Sequence, residues 1–276
     1  MSMAPGALRL LGLDFSSAPN RRKPIVVAEG VLVGAVLRLQ GLRALPRMED
    51  FESLLAEPGP WLGAFDFPFG LPRRFVQAQA LGDTAEDVVR AVHARCATRM
   101  QFRALVDAWG NTQPQGQRLI HRACDTALPG VSSTSPLQTR YVPVGFMYYE
   151  GFSRLVKAGV HLPGLHAGDA SRTALEGYPG LLAHELIARR SYKNDASTER
   201  LLARKDIVEA LEQGRTRLGL RLKLTPAQAG DLVADASGDQ LDAVMCLVQA
   251  AWASGRPRFG QPVAVDAVEG WITGLG

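Results

Sequence analysis

Residues 61–72 read WLGAFDFPFGLP. The apolar run Trp61-Leu62-Gly63-Ala64-Phe65 has the length and composition of a buried strand, and it ends on Asp66. Pro68, Gly70 and Pro72 then prevent a ladder from continuing, because proline lacks the backbone donor and glycine weakens a strand. The stretch predicts a carboxylate held at the C-terminal end of a buried strand. Residues 8–15, LRLLGLDF, repeat the device: an apolar run ends on Asp14 and turns at Ser16-Ser17-Ala18-Pro19. Two strands that each bring an aspartate to one edge of a sheet predict a shared acidic site.

Working outward, residues 25–32 and 33–39 read as a second and third strand, with Gly30 and Gly34 as the places to bend. Residues 48–56 read as a short helix with Glu49 and Asp50 at its start, where acids complement the helix dipole. From residue 73 to 165 the pattern turns mostly helical, with periodic apolar residues such as Val88, Val89 and Val92 and a further short helix expected at 118–126. Residues 173–178 resume the strand pattern and end on Glu176 before Gly177-Tyr178-Pro179, a third carboxylate before a turn. Helices are expected at 180–187, 198–212 and 238–253, and short strands at 263–265 and 271–272. In the helix at 238–253, Leu241, Val244, Met245, Val248 and Trp252 form one apolar stripe.

Composition bounds the class. A hydrophobic fraction of 46% in 276 residues supports a packed core and excludes a disordered chain. No uncharged apolar stretch is long enough for a membrane span. The first residues lack a basic segment ahead of the apolar run, so they read as a short tail and not a signal peptide. Three widely spaced cysteines, Cys96, Cys124 and Cys246, do not make a disulfide framework, and a cytoplasmic setting is expected. The net charge of +4 permits a polyanionic partner without demanding one. Phosphate-binding glycine loops, HExxH and GxSxG are all missing, so the P-loop, dinucleotide, zincin and serine-hydrolase classes lack their signatures. His93-x-x-Cys96 and His121-x-x-Cys124 offer soft ligands on one helix face, but their spacing matches no common zinc site.

Asp239 and Asp242 are three apart on the last strong helix, a spacing that turns both carboxylates the same way. With Asp14, Asp66 and Glu176 they make five carboxylates at the ends of elements. Such a set suits Mg²⁺ or Mn²⁺, which take oxygen ligands and leave room for substrate phosphates. Two such ions can activate water and stabilise a leaving oxygen in phosphodiester cleavage. Each acid also has a local role open to it: Asp14 can form its turn with Ser16 and Ser17, Asp239 can cap a helix, and Glu176 can sit exposed.

GLDFSSAP, AFDFPFGLP, LEGYPG and GDQLDAVMCLVQAAW, in this order and followed by VEGW, resemble the DUF429 family of predicted nucleases. The resemblance covers the first 70 or so residues and the part from about residue 170 onward. It implies a ribonuclease H-like α/β fold: a mixed sheet flanked by helices, strands one and four adjacent, and a mostly helical insertion between strands four and five. The core would be residues 1–72 and 166–276, and the insertion 73–165. It also implies a metal-dependent phosphodiesterase cleaving nucleic acid, with Asp14, Asp66, Asp239 and Asp242 as catalytic metal ligands and Glu176 as an outer ligand. Resolvase-type nucleases of this superfold use a glutamate on strand four, where this chain has the shorter Asp66. Arg73, Arg74, Arg122 and Arg140 are the expected phosphate contacts. Two other classes stand beside this reading: a phosphotransferase or ATPase of the actin-like branch, and a non-catalytic binding protein that keeps an acidic pocket. No membrane partner is expected.

Overall fold

A computed structural model describes residues 8–275. The tail expected ahead of the first strand lies outside the described residues. The chain is α/β: one mixed seven-stranded sheet with helices on both faces. The strands are β1 (Arg9–Asp14), β2 (Ile25–Val33), β3 (Val36–Leu45), β4 (Trp61–Asp66), β5 (Val160–His161), β6 (Asp169–Glu176) and β7 (Arg221–Lys223). Their order is β5-β6-β4-β1-β2-β3-β7, and only β2 runs against the rest. β1 lies beside β4 in parallel, with Asp14 directly opposite Asp66. The two aspartates therefore share one edge and one face of the sheet.

The helices are α1 (Met48–Leu55), α2 (Arg73–Ala78), α3 (Ala85–Arg95), α4 (Arg99–Asn111), α5 (Val144–Lys157), α6 (Pro179–Ile187), α7 (Thr198–Gln213), α8 (Pro226–Ala234) and α9 (Asp239–Ser254). Alternation along the strands splits the core in two. Leu11 and Leu13 of β1 with Trp61 and Phe65 of β4 face one way, into a cluster with Phe75, Val88, Phe102 and Phe152. Leu10 and Leu62 face the other way, packed with Leu182, Ile207, Leu232 and Val244. Residues 73–165, expected as an insertion, thus supply helices that share one continuous core with the sheet.

Glycine fixes the distance between α9 and the sheet. A Cβ on Gly12 of β1 would stand 2.1 Å from the carbonyl oxygen of Ala243 and from the amide nitrogen of Leu247. Only a residue without a side chain lets the helix backbone come this close. α9 accordingly lies across β1, β2 and β4. All its positions from Leu241 to Ala253 are buried, which explains an apolar character wider than one stripe.

Several expectations need correction. Residues 118–126 form no regular helix beyond the 3₁₀ turn Cys124–Thr126. The Asp125 carboxylate accepts the backbone N–H of Arg122, and this local bond competes with helical pairing. Residues 263–265 form no strand, and Val263 is 86% exposed. Ile272 makes a single bridge to Glu176. β3 runs on to Leu45 past a bulge at Glu29/Gly30. β5, β7 and α8 were not expected. Of these, α8 carried a legible signal: Thr225 and Gln228 form a reciprocal capping box with Pro226 at the first helical position between them. Among the described residues, no helix is long and apolar enough to cross a membrane.

Candidate metal centre

The residue after each strand-end aspartate is an aromatic anchor. Phe15 and Phe67 are buried, and their rings meet at 4.7 Å between centroids. Phe67 follows a tight turn in which its N–H donates to the Phe65 carbonyl at 2.8 Å. Buried rings at 65 and 67 leave Asp66 little freedom to turn away from the strand end. α9 brings the third acid. Gly238 caps that helix in the left-handed conformation, at φ 77°. Asp235 braces the approach by accepting from the N–H groups of Ser237 and Gln240.

Asp14, Asp66 and Asp242 converge: each offers a carboxylate oxygen, and the three oxygens lie within 4.8 Å of one another. Asp14 and Asp242 are buried, and Asp66 is the partly open member. Burial, with the adjacent Asp66 charge adding to it, pushes the Asp14 carboxyl well above the usual carboxylate range. Burial also pushes Asp66 up to about 6, with the Lys193 charge opposing and the Glu176 charge reinforcing the rise. Oδ2 of Asp14 is buried without a hydrogen-bond partner. A carboxylate oxygen out of water and without a donor is costly unless something positive meets it. An all-oxygen set with an orphaned carboxylate oxygen fits a hard divalent cation.

Two lysines belong to this site. Lys193 places its ammonium against Asp242. Lys23, on the turn between β1 and β2, donates to Asp239 at 2.7 Å, and that bond raises the Lys23 pKa against the opposing effect of burial. Tyr192 donates its hydroxyl to Asp242 Oδ1 at 2.5 Å. The loop carrying Tyr192 and Lys193 is tied down by Arg204 of α7, which is 1% exposed and donates to the carbonyls of Tyr192, Asp195 and Val233. Nothing in the local sequence marked Tyr192 or Lys193, because their partners lie some fifty residues away on α9. With every group ionised, Asp14, Asp66, Asp239 and Asp242 against Lys23 and Lys193 leave two negative charges, the charge of one divalent cation.

Two expected ligands stand apart from the triad. Asp239 is held by Lys23. Glu176 pairs in register with Phe65, so it points to the other face of the sheet from Asp66. There Arg122 grips both its oxygens, at 2.8 and 2.5 Å, and the N–H of Phe69 donates to it at 2.9 Å. The expected phosphate contacts divide likewise. Arg122 is 2% exposed and bonded to Glu176, Asp125 and the Glu269 carbonyl, so it cannot reach solvent phosphate. Arg73 makes a two-pronged pair with Asp266, and Arg140 pairs with Asp107. Arg74 is exposed and bonded only to the side chains of Gln113 and Gln117, so its charge has no acidic partner among the described residues. The His-x-x-Cys pairs assemble no zinc site: His93 stacks on Tyr149 at 4.2 Å, and Cys96 and Cys124 are buried.

No family model, curated protein or solved structure matches the chain.

Proposed function

We propose that this protein is a divalent-metal-dependent phosphodiesterase of the ribonuclease H-like superfold, acting on nucleic acid. The observation that carries the reading is the convergence of Asp14, Asp66 and Asp242 within 4.8 Å at the C-terminal edge of paired parallel strands. That edge is where ligands bind in open α/β sheets. Adjacent first and fourth strands, helices on both faces and a late helix bringing an acid over them agree with the DUF429 resemblance, as does a helical segment between β4 and β6. In this reading the triad would hold Mg²⁺ or Mn²⁺, which supplies charge for activating water and stabilising a leaving oxygen.

The chain's own groups have defined tasks around it. Tyr192 orients Asp242. Lys193 balances the triad and stands at its edge, where it is positioned to meet an incoming phosphate. Lys23 holds Asp239 away from the three converging oxygens, so the arrangement suits one ion, and a second would require Asp239 to leave Lys23. Arg74 supplies an unpaired positive charge for the polyanion, a few residues beyond Asp66.

The same lysines favour a second reading, in which the acids are balanced permanently and the site is structural. Incubation with single- and double-stranded DNA, RNA and a small aryl phosphodiester, each with Mg²⁺ or Mn²⁺, separates the two. Cleavage that requires metal and disappears in Asp242→Asn supports the phosphodiesterase. Failure to bind Mn²⁺ in calorimetry, with no cleavage of any substrate, overturns it in favour of the structural cluster.

A further inference from the structure

A second cavity shares Asp66 with the triad. It has a volume of about 160 Å³ and lies where β4 and β6 end side by side. Its charged floor is the Arg122–Glu176 pair, whose groups are already bonded to one another. Phe67, Val144 and Met147 supply apolar wall. At the mouth stand Tyr178, Thr134 and Val142, the last 59% exposed. Tyr178 uses its hydroxyl proton on the Ser132 carbonyl at 3.2 Å, so its oxygen remains free to accept.

We infer that this cavity seats one nucleobase of the substrate, of single-ring size, while the adjoining phosphate lies at the Asp14–Asp66–Asp242 triad. The inference rests on the phosphodiesterase reading and adds to it how the substrate is gripped. Three observations select this occupant. Asp66 lines the cavity and is also a member of the triad, so an occupant would lie beside a phosphate held there. Its volume matches cavities of about 150 Å³ that accept a single benzene-sized ring. Its walls are apolar while its mouth carries two hydroxyls, which suits a flat ring with polar edges. A free anion has no site here, because both cationic positions of the Arg122 guanidinium edge are taken by Glu176 and Asp125.

The test is binding of dithymidine phosphodiester and of its abasic counterpart to the full chain with Ca²⁺, read by calorimetry, beside Mn²⁺ titration. The comparison is repeated in Val142→Trp and in Thr134→Trp, each of which narrows the mouth from an exposed lining position. The base should strengthen binding about tenfold or more, in line with base stacking in other single-strand sites. Both tryptophan variants should erase that advantage and leave Mn²⁺ affinity unchanged. Equal binding of base-bearing and abasic compounds, or a base advantage that survives both variants, overturns the inference. Cleavage of phosphodiesters without base preference would sink the pocket alone, whereas absence of Mn²⁺ binding would sink the phosphodiesterase reading itself.

Discussion

Asp66 and Glu176 end neighbouring parallel strands, and each follows a buried apolar run, yet their carboxyls live in opposite environments. Glu176 is saturated: the Arg122 guanidinium and the Phe69 N–H take up both its oxygens. Asp125 completes that cluster by accepting from Arg122 and from the Ser133 hydroxyl. On the other face, Asp66 joins Asp14 and Asp242 in a group that holds an unpartnered oxygen and only flexible lysines for balance. A planar guanidinium locks carboxylates in place, whereas an ammonium on a four-carbon stem can move aside. One cluster is built to hold the fold and the other to receive something.

The largest expected effect comes from breaking the saturated cluster. Arg122→Ala strands two buried carboxylates and should cost roughly 3–5 kcal/mol in urea unfolding. A loss below about 1 kcal/mol would mean that Glu176 and Asp125 are not locked as described. Asp14→Asn should do the reverse. It removes one of several repelling charges, so the metal-free chain should melt at the same temperature or higher. Mn²⁺ affinity should fall by about a hundredfold or more, because the ligand set becomes incomplete. Strong destabilisation of the metal-free Asp14→Asn chain would assign Asp14 to its turn instead.

pH sharpens the contrast. The carboxyls of Asp14 and Asp66 are raised in the folded chain, so that chain binds protons more tightly than the unfolded one. Their contribution to metal-free stability is therefore fully present only below the unfolded carboxylate range and is lost as pH rises, for Asp66 through about 6. It is read as the difference between the chain and Asp66→Asn, since acids elsewhere titrate in the opposite sense. Mn²⁺ must displace those protons, so its affinity should climb with pH through about 6, where Asp66 titrates, by up to about tenfold per pH unit for each proton displaced. A pH-independent affinity would contradict the raised carboxyls. The smallest effect is expected from Lys23→Met. Lys23 is half exposed, so losing its bond to Asp239 should change stability by less than about 1 kcal/mol. Mn²⁺ affinity should rise by up to about fivefold as a like charge leaves, and a decrease would show that Lys23 is needed to shape the site.

The sequence by itself determined the strand-end aspartates and the helix that covers them. Apolar runs stopped by Pro68 and Pro72, or by the Ser16–Pro19 turn, place a carboxylate at a strand end whatever lies around it, because ladders cannot continue there. The spacing of Asp239 and Asp242 likewise put two acids at the start of one helix. Tertiary structure decided which carboxylates meet. Asp66 is paired with Asp14, whereas Glu176 is paired with Phe65, and one position of register moves a side chain to the opposite face. Gly12 set how deeply α9 settles, and hence that Asp242 reaches the triad while Asp239 stays with Lys23. The arginines followed the same rule. Arg73, Arg74, Arg122 and Arg140 look alike in a sequence, but a positive charge takes its role from the nearest carboxylate, and only folding brings Asp266, Asp107 and Glu176 within reach of three of them.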